Sequence, residues 1–295
     1  MSQTGPATRS AAALALLFLI TLSSACVVPA AAEAQARAYY VSLGDSLARG
    51  WQPSSSGHSR PTKHGYVDVV ASALRRAHPG LATMKLGCPG ETTTTMLGGG
   101  RCHYGAGSQL AAAEAFLKAH RRKVVAISVN IGDNDVEQCM VHSHIDGACV
   151  RRELAVVRKR LPRIAAHLRL RAGKNVPIVG LTDYDQFLAY WLSGPAGQRL
   201  ARRSVRIVVH LNRVVDAIYK RAGVRAADAT AAFATTDLSH FVSLRGHGRV
   251  PLAVARVCRW TWACSGPPIG FNDHANSKGY RVLGRVVLAG LRARH

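Results

Sequence analysis

Short apolar runs alternate along the chain with longer stretches whose apolar residues recur every three or four positions. The short runs have the length of buried strands, and the longer stretches have the periodicity of amphipathic helices. Strands and helices that alternate in this way form a parallel sheet with helices on both faces, so the sequence predicts a three-layer α/β fold. Strands are expected at 38–43, 82–86, 124–131, 177–181 and 224–231, and helices at 66–76, 113–121, 150–171, 200–222 and 279–292.

Three segments depart from this alternation. Residues 51–65 are rich in Ser, Pro, His and Gly, which predicts a loop. Pro162 lies inside the third predicted helix and is expected to kink or split it, because proline lacks a backbone donor. Little helical periodicity follows Ala234 until Gly279, so we expect an extended loop held by a disulfide there. Without an internal repeat or a linker, residues 37–295 are predicted to form one domain.

The N-terminus has the pattern of a secretory signal peptide. Arg9 precedes an uncharged apolar run from Ala11 to Leu22, and Ala34-Gln35-Ala36, with small residues on both sides of Gln35, offers a cleavage site. The run is shorter than the roughly 20 residues that span a bilayer, which argues against the alternative of a retained membrane anchor. We therefore expect residues 1–36 to be removed and the mature protein to be secreted. A lipoprotein anchored through Cys26 is a further alternative.

Removal of the signal peptide takes Cys26 away and leaves an even number of cysteines. Secreted proteins favour disulfides, and an even count fits that chemistry. Six cysteines allow 15 pairings, but these fall into three separate clusters, and pairing within each cluster closes the shortest loops. The predicted disulfides are Cys88–Cys102, Cys139–Cys149 and Cys258–Cys264.

The sequence predicts no metal site. Its cysteines do not show C-x-x-C spacing, and its histidines do not repeat at the spacings of zinc sites. His142, His144 and Asp146 lie between Cys139 and Cys149, where we expect a solvated surface loop.

A formal net charge of +23 raises the question of anionic partners. Such a charge attracts nucleic acid, anionic lipid and acidic cell-wall polymers alike. Nucleic acid is not expected, because the chain is predicted to be secreted and aromatic residues, which could stack on bases, make up only 6% of it. Electrostatic attraction to anionic lipid or to the cell wall remains, and a merely solvated basic surface is the alternative. The protein is expected to be a monomer.

Polar and glycine residues follow three of the predicted strands, where a turn alone would not require them. The segments are Gly44-Asp45-Ser46, the loop around Gly90, and Gly132-Asp133-Asn134. His274 lies in a fourth segment, just before the last helix. A serine nucleophile, a histidine base and donors aimed at an oxyanion are what acyl transfer needs, and a parallel sheet gathers such residues at one edge.

In this order, the four segments resemble the sequence blocks of the GDSL (SGNH) hydrolases, and in particular the secreted actinobacterial-type lipases and esterases. Ile131-Gly132-Asp133-Asn134-Asp135-Val136, Gly90-Glu91-Thr92-Thr93 and Trp260-Thr261-Trp262-Ala263-Cys264 carry the closer resemblance. The resemblance spans residues 39 to about 292. It implies a three-layer, flavodoxin-like α/β fold with a mostly parallel central sheet, and no metal or organic cofactor.

The resemblance also implies roles for individual residues. Ser46 would attack the ester carbonyl while His274 takes its proton, and water would then resolve the acyl-enzyme. The oxyanion hole would consist of the backbone N–H groups of Ser46 and Gly90 and the side-chain amide of Asn134.

The group that orients His274 is left open by the sequence. The family usually has an aspartate two or three residues before the histidine, and here Asn272 and Phe271 occupy those positions. We expect the backbone carbonyl of Phe271 to accept from Nδ1 of His274, because a residue next to the histidine usually points its side chain away. Asp273 and a distant acid are the alternatives.

The predicted function is that of a secreted serine carboxylic ester hydrolase, a lipase or esterase acting on lipid esters. A carbohydrate O-acetylesterase would use the same residues and is the alternative enzyme. An inactive protein that binds anionic envelope polymers through its basic surface is the alternative from another class.

Overall fold

The central sheet has five strands, all of them parallel, in a computed structural model that describes residues 38–141 and 144–293. The strands are β1 (Ala38–Gly44), β2 (Leu81–Lys85), β3 (Val124–Asn130), β4 (Ile178–Leu181) and β5 (Arg225–Ala227). Their order across the sheet is β2-β1-β3-β4-β5. After β2 the chain crosses to the other side of β1, and a crevice is expected where the order reverses, at the carboxyl ends of β1 and β3.

Both faces of the sheet are covered, which explains the apolar character of β1. All seven residues of β1 are buried. Tyr39, Val41 and Leu43 belong to one apolar core, and Ala38 and Tyr40 belong to the other. Successive side chains of a strand point to opposite faces, so β1 supplies both cores.

The longer helices lie in two layers. Side chains of α2 and α3 pack in the core that contains Val41, those of α1, α5 and α6 pack in the core that contains Tyr40, and α4 contributes to both. These helices are α1 (Tyr66–Ala77), α2 (Gln109–His120), α3 (Gly147–Ala172), α4 (Gly194–Arg221), α5 (Leu252–Trp260) and α6 (Ser277–Arg292). The arrangement confirms the predicted three-layer α/β fold.

Shorter elements connect the layers. Single helical turns and short helices are Ser46–Arg49, Thr93–Gly98, Asp133–Glu137 and Ala229–Ala232, with a 3₁₀ helix at Gln186–Ser193. Antiparallel pairs join Trp51–Pro53 to Ser59–Pro61, Met140–Val141 to His144–Ile145, Phe241–Leu244 to Gly248–Pro251, and Thr261–Trp262 to Asn272–Ala275. The segment 51–65, predicted to be a loop, therefore contains a small hairpin.

One helix and one strand differ from the prediction. Helix α3 runs unbroken through Pro162, whose ring is exposed while Leu161 and Ile164 beside it are buried. Packing of that apolar face compensates for the backbone hydrogen bond that proline cannot donate. Strand β5 ends at Ala227 because Asp228 caps a short helix, accepting from the backbone N–H of Ala231 at 3.0 Å.

The expected extended loop after Ala234 is wrong in part, since this segment contains α5. The helix buries Ala253, Val254 and Val257, which lie at the spacing of one helical face. The helix is short and a hairpin precedes it, so its periodicity does not stand out from the surrounding sequence.

The cysteines pair locally, as expected from their clustering. Cys88 is bonded to Cys102, Cys139 to Cys149 and Cys258 to Cys264. The third disulfide joins α5 to the turn that follows the short strand Thr261–Trp262, so a disulfide does lie in the segment between Ala234 and Gly279, as expected. The predicted signal peptide and Cys26 lie outside the described residues. Among the helices within them, none is long and apolar enough to cross a membrane.

Candidate active site

The residues singled out in the sequence lie at the carboxyl edge of the sheet. Ser46 follows β1 by two residues, Gly90 lies in the loop after β2, and Asn134 follows β3. His274 belongs to the short strand Asn272–Ala275, which directly precedes α6. This edge is where the strand order reverses, so the crevice expected from the topology coincides with the predicted catalytic residues.

Ser46 begins a short helix that starts immediately beyond β1. The carboxylate of Asp45 caps this helix by accepting from the backbone N–H of Leu47 at 2.8 Å. Ser46 is 9% exposed, and none of the side-chain hydrogen bonds among the described residues involves its Oγ. The hydroxyl is therefore available to a reacting group rather than used in the fold.

Gly44 sets the turn that presents Ser46. Its φ of +135° is one that side-chain-bearing residues rarely adopt, and a Cβ there would collide with the carbonyl oxygen of Asn130. Glycine is thus required for the ends of β1 and β3 to approach each other. This approach brings the Ser46 turn beside the Asn134 turn.

Gln109, at the start of α2, joins two segments of the site and was not singled out in the sequence. Its Oε1 accepts from the backbone N–H of Gly44 at 2.6 Å, and its Nε2 donates to the Gly44 carbonyl at 2.9 Å. The same Nε2 lies 2.9 Å from a carboxylate oxygen of Glu91, next to Gly90. Gln109 therefore ties the turn before Ser46 to the loop that carries Gly90.

A second pair of contacts fixes that loop to the turn after β3. The carboxylate of Asp135 accepts from the backbone N–H of Thr93 at 2.8 Å and from its hydroxyl at 2.6 Å. Burial raises the pKa of Asp135 to about 6, against the lowering effect of the Thr93 bonds. The Asn134 amide donates to the Glu91 carbonyl at 3.1 Å. An amide nitrogen has two hydrogens, so the second hydrogen of Asn134 remains for another acceptor.

His274 is oriented by two side chains, not by the backbone carbonyl predicted from the sequence. Its Nδ1 lies 3.0 Å from Oδ1 of Asn272 and 3.1 Å from Oδ1 of Asp273. The Asn272 contact has hydrogen-bond geometry, whereas the Asp273 contact is an ion pair when His274 is protonated. The prediction for the Phe271 carbonyl needs correction, because the Asn272 side chain folds back to accept from both the backbone N–H and the ring of His274.

Tyr184 holds the main chain of Asp273 in place. Its carbonyl oxygen accepts from the hydroxyl of Tyr184 at 2.6 Å. Burial raises the pKa of the Asp273 carboxyl, but the hydrogen bond and charge of His274 outweigh burial, so the pKa lies below its usual range. Asp273 is therefore an ionised partner for an imidazolium ring.

The predicted nucleophile shares a small acidic cavity with Asn134 and Asp273. The cavity has a volume of about 20 Å³, room for one water molecule. Its carboxyl groups are Asp45, Asp133, Glu137, Asp183 and Asp273. This acidic cluster lies inside a strongly basic chain, and two of its members, Glu137 and Asp183, lie outside the segments singled out from the sequence.

Burial controls the ionisation of the acidic cluster. It raises the pKa of Asp183 and of Glu137 to about 7, and those of Asp45 and Asp133 well above their usual range. Mutual repulsion adds to this effect in Asp45, Asp133 and Glu137. One carboxyl oxygen of Asp133 and one of Asp183 have no hydrogen-bond partner among the described residues, so nothing there compensates for ionisation.

The cluster does not have the geometry of a metal centre. No group of three or more His, Cys, Asp or Glu side chains in residues 38–141 and 144–293 could hold a metal ion. The site therefore offers a hydroxyl, an imidazole, an ionised carboxylate and amide donors, which together suit proton transfer and acyl transfer.

The sequence profile of the GDSL-like lipase/acylhydrolase family matches residues 42–282, a span that contains Ser46, Gly90, Asn134 and His274. The chain belongs to this family. Membership agrees with the strand-end positions of these residues and with the five-stranded parallel sheet.

Solved structures with the same fold include lipases. The extracellular lipase of Streptomyces rimosus has a TM-score of 0.57 and 19% identity, over 86% of this chain and 99% of that one. The lipase Lip_vut3 from a goat rumen metagenome has a TM-score of 0.52 and 16% identity, over 86% of this chain and 97% of that one. At these identities the likeness establishes the fold alone. No curated protein sequence matches the chain significantly.

Within this GDSL-family site, sequence reasoning missed Gln109, Glu137 and Asp183. Asp183 follows β4 at the same edge as Ser46, so its place after a strand was a usable signal. Gln109 and Glu137 carry no comparable local pattern. Their contribution depends on which strand ends the fold brings together.

We expect Asp183→Asn to change how stability depends on pH. The folded carboxyl has its pKa raised to about 7, so between about pH 4 and about pH 7 the native state keeps a proton that the unfolded state has lost. The contribution of this carboxyl to the free energy of unfolding of the wild type is greatest below that window. It falls by up to about 1.4 kcal/mol per pH unit within the window and is constant above it.

Urea unfolding at a series of pH values tests this expectation. The stability of Asp183→Asn relative to wild type should rise through the window and then level off. Asp216→Asn, which removes a carboxylate paired with Lys220 on an exposed helix face, is the control and should show no such rise. A difference for Asp183→Asn that does not vary with pH would contradict the assignment.

Proposed function

We propose that the protein hydrolyses carboxylic esters through an acyl-enzyme on Ser46, with His274 as general base. The observation that carries this proposal is that the unengaged Ser46 hydroxyl shares one cavity with Asn134 and with Asp273, the carboxylate beside the His274 ring. A nucleophile, a base and an oriented partner for the base form the arrangement that activates serine.

The reaction proceeds in two steps. Ser46 Oγ bonds to the ester carbonyl carbon while Nε2 of His274 takes the hydroxyl proton, and the protonated histidine then gives this proton to the departing alcohol. Water repeats the sequence on the acyl-enzyme and releases the acid. During each step the carbonyl oxygen gains negative charge, which the backbone N–H groups of Ser46 and Gly90 and the Asn134 amide stabilise.

Asn272 and Asp273 have different roles in supporting His274. The Asn272 oxygen accepts from Nδ1 and holds the ring in the tautomer that leaves Nε2 basic. The ionised Asp273 supplies the negative charge that stabilises the imidazolium formed during catalysis. A backbone carbonyl would provide the first effect without the second.

We infer that the substrate is a lipid ester. An aromatic cluster lies close to His274 in the sequence. The exposed ring of Phe271 stacks on Tyr190, with 5.1 Å between the ring centroids, and the centroid of the Phe187 ring lies 6.4 Å from that of Phe271. An exposed aromatic ring three residues from His274 suits contact with an acyl chain. Membership of the GDSL-like lipase/acylhydrolase family and the fold shared with two lipases support the same substrate class.

Secretion belongs to the same proposal. The signal-like N-terminus and three disulfides suit an oxidising compartment, and the structurally similar Streptomyces rimosus protein is an extracellular lipase. We further propose a monomer, with its basic surface attracted to anionic lipid or cell wall.

Replacing Ser46 tests the central step. Ser46→Ala should lower kcat by on the order of 10⁶, the scale of nucleophile knockouts. A fluorophosphonate should label the wild type and not the variant. Ser55→Ala, which removes an exposed hydroxyl, is the control and should keep both activity and labelling. Near wild-type turnover by Ser46→Ala would overturn the Ser46 mechanism. A wild type that shows neither turnover nor labelling would favour the inactive binding protein.

Replacing Asp273 tests the support of the histidine. Asp273→Asn should lower kcat by about 10³–10⁴, because the imidazolium loses its counter-charge. The double variant Asp273→Asn/Asn272→Asp places a carboxylate at position 272, whose side chain also contacts Nδ1. This variant should recover at least tenfold of the lost kcat, which corresponds to about 1.4 kcal/mol in activation free energy. A loss under about tenfold in Asp273→Asn would assign the support to Asn272 alone.

Nitrophenyl esters from acetyl to palmitoyl distinguish a lipase or esterase from an O-acetylesterase. Each CH₂ group of the acyl chain that is buried contributes about 0.8 kcal/mol of favourable binding free energy. We therefore expect kcat/KM to rise with chain length to an optimum above about eight carbons. Phe271→Ala should reduce kcat/KM for long chains by about fivefold or more and leave the acetyl ester unaffected. Leu170→Ala, at an exposed position on α3, is the control. An optimum at acetyl would support the O-acetylesterase.

A further inference from the structure

A second cavity lies between α1 and α6, and it shares no lining residue with the cavity at Ser46. Its volume is about 480 Å³, within the range of small-molecule sites. Residues from the loop before α1, from one face of α1 and from one face of α6 line it. The basic ones are Lys63, His64, Arg76, Arg281 and Arg285.

Ion pairs within residues 38–141 and 144–293 do not balance the positive charge of this cavity. The sole acidic residue of its lining, Asp68, is bound to Lys85 at 2.6 Å. Arg76, Arg281 and Arg285 are exposed, and no ion pair within the described residues involves them. A concave site with uncompensated positive charge concentrates anions.

The arrangement of the arginines is unfavourable for the fold itself. Arg281 and Arg285 are four residues apart on α6, so their like charges repel on one helix face. Arg76 projects toward the same cavity from α1. An anion bound between these guanidinium groups would relieve the repulsion and could accept paired hydrogen bonds from each.

The rest of the lining restricts the kind of anion. Val69, Ala73 and Leu288 contribute half-buried apolar surface, and Ser72 and Ser277 contribute hydroxyls. The cavity therefore combines charged donors, neutral hydrogen-bonding groups and an apolar wall. A phosphate group attached to a small organic body satisfies all three features.

We infer that this cavity is a binding site for a phosphate-bearing molecule of the glycerophosphate type, as found in the headgroup of an anionic phospholipid. Ser277 begins α6 two residues after the strand that carries His274, so a lipid headgroup held here lies on the element that follows the catalytic histidine. Binding requires no ester cleavage, and the site goes beyond the proposed hydrolysis.

Vesicle binding tests the site, with a matched control for charge. Vesicles of phosphatidylglycerol and phosphatidylcholine are mixed with wild type, with Arg281→Gln/Arg285→Gln, and with Lys159→Gln/Arg163→Gln. The control pair also removes two exposed charges four residues apart, on α3. The cavity variant should lose at least about tenfold in affinity and the control less than about threefold. Unchanged melting temperatures of both variants show that the fold is intact.

Soluble sn-glycerol 1-phosphate identifies the source of the phosphate. If it raises the melting temperature of wild type but not of the cavity variant, the cavity recognises the phosphate group itself, whether free or on a lipid. If only the vesicles show the variant-specific loss, the ligand is a lipid headgroup in a bilayer. Equal losses in the two double variants, with no variant-specific effect of glycerol phosphate, would overturn the site and indicate diffuse attraction by net charge.

Discussion

The paired hydrogen bonds between the Gln109 amide and the main chain of Gly44 are the contact on which the candidate site depends. Gly44 ends β1, and the buried Gln109 amide accepts from its N–H and donates to its carbonyl, which also accepts from the backbone N–H of Cys88 at 3.0 Å. The same amide reaches Glu91, so the loop that carries Gly90 is positioned relative to Ser46 by Gln109, which has no proposed role in the chemistry. A small displacement of Gln109 would therefore shift Ser46 and the Gly90 loop together.

Opposite electrostatic environments lie in different parts of the molecule. The acidic cluster at Ser46 is buried, and burial raises the pKa of Asp133, Glu137 and Asp183, which favours their neutral forms and lowers the negative charge around Ser46. Asp273 is the exception, because the adjacent His274 keeps it ionised. The cavity between α1 and α6 carries uncompensated arginines at the surface. The proposed lipid-binding cavity and the proposed active site therefore have opposite charge, and they share no lining residue.

Much of the fold could be predicted from local sequence, and the exceptions have physical reasons. Strands β1 to β4 and the main helices follow from apolar periodicity, because both faces of the sheet are covered. Helix α5 was missed because its single apolar face spans only nine residues. Unbroken α3 was not expected because the packing around Pro162 is a tertiary effect. The Phe271 carbonyl was favoured on local geometry, which could not include an Asn272 side chain folding back onto the ring.

The sequence by itself determined the family, the order of the strands and helices, the local cysteine pairs and the four segments that carry Ser46, Gly90, Asn134 and His274. Each of these depends on residues close together in the chain. Tertiary structure alone decided which carboxyl groups surround the serine, what supports the histidine and where the arginines of two helices meet. Those features join residues separated by tens of positions, and their charge states depend on burial, which no local pattern specifies.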